Sequence, residues 1–206
     1  MSGFIDPKNW PDISTFQAED GAATSSGLAQ GGGRAFRELE EIEKPVLAMI
    51  HGHCIGGGLA VALSADLRYA SAEATFGIPA ARLGVGYDLA GVAALEAVVG
   101  PARAKEILFT AGRYPAEEAL AMGLIDRVCA QHELEAFVRR QAECIAGNAP
   151  LTVRSVKLIS RELRRPAAER DLPAVRKAVA ACFESDDFGE GVRAFMEKRS
   201  PAFKGR

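Results

Sequence analysis

The pattern of apolar and polar positions changes part-way along the chain. Up to about residue 130, apolar runs of strand length recur, such as "VLAMIHG" (46–52), "ADLRYAS" (65–71) and "LIDRVC" (124–129). The segment "ATFGIPAARLG" (74–84) has the pattern of a strand edge that continues into a loop. Residues 57–64 are apolar on all sides, which predicts a helix enclosed by other elements.

Helical patterns surround and follow these strands. Residues 34–43 have near-helical apolar spacing and are followed by Lys44-Pro45. "PARAKEILFTAG" (101–112) and "PAEEALAMG" (115–123) each start with proline and stop with glycine. Longer amphipathic helices are predicted at 132–146, 150–164, 172–184 and 188–198. Strands early and helices late predict an α/β core with a helical extension.

This pattern divides the chain into three parts. Residues 1–33 contain Pro7, Pro11 and the run "GAATSSGLAQGGG", which is typical of an irregular surface segment. Residues 34–130 form the predicted α/β core, and residues 131–206 form the predicted helical region.

Composition restricts the classes of function. The chain has 206 residues, 48% of them hydrophobic, and a net charge of -2, so it has enough apolar residues for a core and no basic stripe for nucleic acid. No apolar run reaches the roughly 18 residues that cross a bilayer, so we expect no membrane association. Four widely spaced cysteines predict reduced thiols in a cytoplasmic protein.

The stretch "HGHCIGGGLAVAL" (51–63) is the strongest candidate for a functional site. It lacks the G-x-G-x-x-G spacing of a dinucleotide fold and the G-K-[ST] ending of a phosphate loop. Two interpretations remain open from the residues alone. The glycines either permit close packing of helix on strand, or they hold a backbone N–H toward charge that develops on a carbonyl oxygen.

The segment "KPVLAMIHGHCIGGGLAVALSADLRYASAEATFGIPAARLGVG" (44–86) resembles the core of the enoyl-CoA hydratase/isomerase (crotonase) family. The likeness continues through "VGPARAKEILFTAGRYPAEEALAMGLIDRVC" and "FGEGVRAFMEKRSPAFKGR", with "DISTFQ" (12–17) as an anchor upstream. The resemblance implies a crotonase-like (ClpP/crotonase) α/β spiral of ββα units, followed by a C-terminal helical trimerisation region. It also implies an acyl-CoA substrate, with coenzyme A present only as part of that substrate, no tightly bound cofactor, and a homotrimer or a dimer of trimers.

The resemblance carries site residues onto this sequence. Gly57 matches the residue whose N–H polarises the thioester carbonyl, and Pro11 matches the second donor, although proline has no N–H. We therefore expect either that half of this oxyanion hole is lost, or that the start of the chain is truncated or misassigned. The substrate-binding positions that the resemblance implies are Asp12, Ile13, His53, Ile55, Pro79, Ala80, Tyr87, Phe195 and Lys198.

The proton-transfer residues depart from the family pattern. Family hydratases use two glutamates, and the matching positions here are Ala60 and Ala80, so hydration by that route is not expected. Asp88 matches the position of a catalytic aspartate in dienoyl-CoA isomerase-like members, where an apolar pocket would raise its pKa. The alternative is that Asp88 is a helix N-cap. Tyr87 either donates a hydrogen bond to the substrate or packs as a ring.

Three further positions have competing interpretations. Phe195 and Lys198, at helical i, i+3 spacing, either contact the CoA nucleotide together, or lie in the core and in solvent respectively. His51 and His53 share a strand face, but no third ligand is near in sequence, so no metal site is predicted. Cys54 is expected to be a buried structural thiol.

These patterns favour an acyl-CoA thioester enzyme with isomerase or lyase chemistry at Asp88. The alternatives are a catalytically silent acyl-CoA-binding homologue and a nucleotide-binding regulatory domain.

Overall fold

The computed structural model describes residues 39–206. The predicted irregular segment (1–33), with Pro11 and the candidate residues Asp12 and Ile13, lies outside the described residues. Of the helix predicted at 34–43, the described residues 39–41 are helical.

Six strands and eight α-helices follow from residue 47 onward. The strands are β1 (Leu47–Ile50), β2 (His53–Ile55), β3 (Leu67–Ser71), β4 (Thr75–Gly77), β5 (Tyr114–Pro115) and β6 (Arg127–Cys129). The helices are α1 (Gly57–Leu63), α2 (Ala80–Leu83), α3 (Leu89–Thr110), α4 (Ala116–Ala121), α5 (Leu134–Ala146), α6 (Pro150–Arg164), α7 (Leu172–Phe183) and α8 (Asp186–Met196). A short 3-10 helix spans Ala167–Glu169.

The strands form two sheets that repeat the same connection. One sheet has the order β1-β3-β6 with parallel pairing throughout, and the other has the order β2-β4-β5. Successive units β1-β2-α1 and β3-β4-α2 therefore add one strand to each sheet, with β2 and β4 also parallel. This is the predicted spiral of ββα units. The strand β5 pairs antiparallel with β4 at the edge of the second sheet.

Side-chain alternation along β1 and β3 separates two apolar clusters. Ile50 and Ala70 face the main cluster, which also contains Leu59 and other buried residues of α1, α3 and α4. Tyr69 faces the opposite side and packs with Leu134 of α5. Because both faces are covered, the parallel sheet reads as continuous apolar runs in the sequence.

The main differences from the sequence prediction concern helix boundaries. "ATFGIPAARLG" forms β4 and then the short helix α2 instead of a loop. The helix predicted from Pro101 is the second half of α3, which kinks at Gly100 (φ 75°) and places Pro101 at the start of its second half. Ala111, not Gly112, takes the left-handed conformation (φ 47°) that ends this helix.

Helix α6 is attached to the start of the core by ionic and hydrogen-bonded contacts. Lys157 of α6 donates to an Asp66 carboxylate oxygen at 2.7 Å and to the Lys44 carbonyl oxygen at 2.9 Å. The same Asp66 oxygen accepts the Val46 N–H at 2.7 Å, just before β1. One carboxylate thus joins α6 to the start of the first strand. Within residues 39–206, no helix is long and apolar enough to cross a membrane.

Candidate active site

The three consecutive glycines form the junction between β2 and α1. Gly56 has φ +56° and ψ -115°, a conformation that favours glycine. Its N–H donates to the Gly77 carbonyl at 2.8 Å, which ties the end of β2 to the end of β4. A Cβ built on Gly56 would lie 4.0 Å from Cδ of Pro79. The junction therefore lies beside the Pro79 turn.

Gly57 and Gly58 present bare backbone at the start of α1. Both are exposed, and a Cβ built on either would meet no described atom within 4 Å. The first intrahelical bond is from the Ala60 N–H to the Gly56 carbonyl, so the N–H groups of Gly57 and Gly58 have no acceptor in their own helix. No side chain of the described residues caps this helix. These N–H groups are open to a ligand.

No titratable side chain stands at the two positions where the family has glutamates. Ala60 lies one turn after Gly57 on α1, and Ala80 begins α2 directly after Pro79. Both are half-buried, and Ala80 packs against the main apolar cluster. Both positions therefore carry a small apolar side chain instead of a carboxylate.

Asp88 is the N-cap of α3, so the N-cap interpretation is confirmed. Its Oδ1 accepts the Gly91 N–H at 2.7 Å, and the residue is exposed instead of enclosed in an apolar pocket as expected. Within residues 39–206 this is the one hydrogen bond of the carboxylate. The cap leaves the second carboxylate oxygen available, so a catalytic role stays a prediction.

Tyr87 packs as a ring beside this cap. It is half-buried against the main cluster, and burial first, then the Asp88 carboxylate, raise the pKa of its phenol. The ring lies over Gly91: a Cβ there would approach Tyr87 Cε1 to 2.6 Å and Asp88 Oδ1 to 2.9 Å. A phenol is already protonated at neutral pH, and this shift does not change that, so the hydroxyl can donate a hydrogen bond.

The structure does not bring His53 to the glycines. His53 begins the strand β2, and its Cα lies about 7 Å along the strand from that of Ile55, at the end away from Gly57. The His53 Nδ1 is 2.7 Å from Oγ1 of Thr75, its register partner in β4. Ile55, at the end of β2, is half-buried near Gly77. His53 as a substrate-lining residue stays a prediction, and Ile55 lies closer to the glycines.

Cys54 is a buried thiol, as expected from the opposite facing of neighbouring strand residues. Burial raises the pKa of its thiol to about 11. It is therefore protonated and unreactive at neutral pH. Within the described part of the chain, no cluster of three or more His, Cys, Asp or Glu side chains could hold a metal ion.

Phe195 and Lys198 do not share a helix face. Phe195 is in the last turn of α8, with 83% of its surface exposed, so its interpretation as a core residue is wrong. Lys198 lies beyond the helix, after the C-cap residue Glu197, with φ +53°. The i, i+3 helical argument fails here because α8 ends at Met196, although both residues are exposed and neighbouring.

One feature of the site and one contact outside it were not predicted from the sequence. Gly91 is needed because the Tyr87 ring and the Asp88 carboxylate fill the space of a side chain there; "DLAG", an N-cap residue with glycine three positions later, is the signal. Glu190 binds the segment after α8, and no periodicity reveals such a contact.

Comparison with known proteins gives the family. A sequence model described as enoyl-CoA hydratase/isomerase matches residues 12–206. This chain belongs to the enoyl-CoA hydratase/isomerase family. Carnitinyl-CoA dehydratase of Salmonella typhi is 35% identical over 193 residues, covering 92% of this chain and 74% of the relative.

Two solved structures support the same assignment. An enoyl-CoA hydratase/isomerase family protein from Hyphomonas neptunium superposes with a TM-score of 0.84 at 36% identity, over 95% of this chain and 74% of that one. An enoyl-CoA hydratase from Bacillus anthracis gives a TM-score of 0.86 at 30% identity, over 95% and 75%. The crotonase fold predicted from the sequence is confirmed.

Proposed function

We propose that this chain binds an acyl-CoA thioester, polarises its carbonyl with the N–H of Gly57, and carries out isomerase or lyase chemistry with Asp88 as the acid and base. The observation that supports this most is the exposed backbone at the start of α1, where the N–H groups of Gly57 and Gly58 have no acceptor among residues 39–206. A backbone donor fixed in place stabilises a developing oxyanion without reorganisation. Coenzyme A enters as part of the substrate.

The proposed chemistry needs one proton acceptor. The Asp88 carboxylate takes a proton from the carbon next to the thioester carbonyl, and the bonding electrons move to the carbonyl oxygen, where the Gly57 N–H holds the charge. Return of the proton to a different carbon moves a double bond, which is isomerisation. Alternatively, a group on the next carbon leaves with its bonding electrons and takes the proton from Asp88, which gives a lyase reaction. Neither route uses a carboxylate at position 60 or 80.

A catalytically silent acyl-CoA-binding protein is the second candidate. It is favoured by the apolar Ala60 and Ala80 and by the use of Asp88 as a helix cap. The test combines calorimetric binding of an acyl-, enoyl- and dienoyl-CoA panel with turnover of the same panel. Turnover that Asp88→Asn abolishes without loss of binding supports the enzyme.

Other outcomes of this panel separate the remaining candidates. Equal binding without turnover by either protein supports the silent homologue. Binding of free nucleotide without any acyl preference would contradict both and favour a nucleotide-binding domain.

We also propose that the chain assembles as a homotrimer, alone or as a dimer of trimers. An apolar cavity of about 550 Å³ lies between α6, α7 and α8. Phe183, Phe188, Val192 and Met196 line it and are exposed in the single chain, as expected for residues that another subunit covers. Sedimentation equilibrium tests this: a trimer or hexamer is expected, and a monomer would refute it.

A further inference from the structure

The helix that starts with Gly57 is attached to the core at both of its ends. Helix α1 has seven residues, so its two ends lie about 10 Å apart. At its start, the Gly56 N–H donates to the Gly77 carbonyl at 2.8 Å. In the turn after its end, the Asp66 N–H donates to the Val46 carbonyl at 2.9 Å, and Asp66 Oδ2 accepts the Val46 N–H at 2.7 Å. The direction of the Gly57 N–H therefore depends on both attachments.

Lys157 of α6 completes the second attachment. Its ammonium donates to the same Asp66 oxygen at 2.7 Å and to the Lys44 carbonyl at 2.9 Å. Its side chain is only 13% exposed, so water competes little for these bonds. Charge-assisted bonds in such a place are stronger than bonds between neutral groups. The lysine thus fixes the carboxylate that in turn fixes the end of α1.

An aspartate at this position does not stabilise α1 by itself. The C-terminal end of a helix carries partial negative charge, which repels a carboxylate, and Asp66 comes two residues after the C-cap residue Ser64. The free carbonyl of Ala65 is satisfied separately, by Nη1 of the buried Arg68 at 2.8 Å. The carboxylate of Asp66 therefore contributes by tying the end of α1 to β1 and α6.

A second ion pair joins α6 to the segment before β1 without involving this turn. Arg154 of α6 pairs with Glu43 at 2.5 Å, and both side chains are more than half exposed. Among residues 39–206, neither side chain forms a hydrogen bond to the turn 64–66. The two ion pairs thus differ in whether they hold the end of α1.

We propose that Asp66 and Lys157 are positioning residues for the oxyanion hole. Lys157 holds the Asp66 carboxylate, the carboxylate holds the turn after α1, and the helix thereby keeps the Gly57 N–H aimed at the thioester carbonyl. This inference rests on the proposed function. Both side chains lie at the end of α1 away from Gly57, so neither contacts the reacting atoms.

Two substitutions break this link with little change of shape. Asp66→Asn keeps an oxygen for the Val46 N–H but removes the charge that binds Lys157, and Lys157→Met removes the ammonium. The first readout is the infrared C=O stretch of the tightest-binding acyl-CoA of the panel, labelled with ¹³C at the carbonyl. The second readout is kcat and KM on the best substrate.

In both variants we expect the C=O stretch to move part of the way toward the frequency of the free thioester. Because loss of a whole oxyanion donor costs about 10²–10³-fold in kcat, a misdirected donor should cost about tenfold. KM should stay within about a factor of two, since the lost contact acts on the transition state. The double variant should show no larger change than either single variant, because both substitutions break one link.

Glu43→Gln is the matched control. It breaks the ion pair with Arg154, and both the stretch and kcat should stay at wild-type values. If Asp66→Asn and Lys157→Met lower the melting temperature but leave the stretch and kcat unchanged, the pair is structural and the positioning role is refuted. Changes of equal size in Glu43→Gln also refute it.

Two further outcomes are separated by the same measurements. If Asp66→Asn does not fold, Lys157→Met decides by the same criterion, and if the wild type binds without turnover, the stretch alone decides. A wild type that binds no acyl-CoA, or whose bound carbonyl has the frequency of the free thioester, refutes the proposed function itself.

Discussion

The two roles of Asp88, helix cap and proposed acid–base group, can be separated by two substitutions at one position. Asp88→Asn keeps a side-chain oxygen that can accept the Gly91 N–H, now at 2.7 Å, but removes the group that exchanges a proton. Asp88→Ala removes both. The pair therefore tests catalysis against a matched structural control.

The expected effects on stability follow from the cap. Asn is as good an N-cap as Asp, so its cost is a few tenths of a kcal/mol from the lost charge at the helix N-terminus. Ala leaves the Gly91 N–H without its side-chain acceptor and should cost about 1 kcal/mol. Because Asp88 is exposed, water satisfies part of the freed N–H, and we expect no larger loss.

The expected effects on turnover are much larger and equal for both variants. Loss of a general acid–base group lowers the rate about 10²–10⁴-fold. Urea unfolding gives the stabilities, and initial rates on the best substrate of the acyl-CoA panel give the turnover. Turnover by Asp88→Asn within a factor of two of the wild type, with loss only in Asp88→Ala, would refute catalysis and leave Asp88 as a cap.

Two further predictions concern the apolar residues Ala60 and Ala80 and the cysteine thiols. The double variant Ala60→Glu/Ala80→Glu should hydrate a short enoyl-CoA about 10²-fold or more faster than either single variant, because both carboxylates act on one water. The loss of enoyl absorbance measures the hydration rate. A folded double variant with no gain in this rate would contradict the alignment of positions 60 and 80 with the family's glutamates. Cys144 is exposed and should react first with a disulfide reagent at pH 8, whereas Cys54 should react only after unfolding; labelling of Cys54 in the native protein, detected by mass spectrometry, would contradict its burial. Burial raises the pKa of the Cys54 thiol from 9.0 to about 11. The neutral thiol therefore contributes its full share to the free energy of unfolding below pH 9.0, and this share falls as the pH rises toward 11.

The sequence predicted the regular elements well where pattern and local signals agree. The predicted helix 150–164 coincides with α6 because Pro150 starts it and its apolar stripe is continuous. β1 and β3 were predicted because buried parallel strands read as apolar runs. β2 was not separated from β1, since only His51 and the left-handed Gly52 (φ +64°) lie between them and glycine alone does not specify a break.

The candidate site was predicted less completely, because its geometry depends on long-range contacts. The glycines at 56–58 indicated bare backbone, and the structure places Gly56 beside Pro79. The sequence could not show that β2 begins at His53, at the end away from the glycines, because this boundary is set by the pairing of His53 with Thr75 of β4. Nor could it show that Lys198 leaves the helix, because a C-cap with lysine in the glycine position lacks the usual signal.

The central claim, that the Gly57 N–H polarises a thioester carbonyl, can be measured on the bond itself. Infrared difference spectra of bound acyl-CoA, labelled with ¹³C at the carbonyl, report the C=O stretch. Gly57→Pro replaces the N–H by the ring Cδ at the first position of the helix, where proline is accepted, and Gly57→Ala retains the N–H as the control for the added Cβ.

We predict a stretch shifted to lower frequency in the wild type and in Gly57→Ala, and a stretch close to that of free acyl-CoA in Gly57→Pro. A bound carbonyl with the frequency of the free thioester in the wild type, or the same shift in Gly57→Pro, would contradict the account.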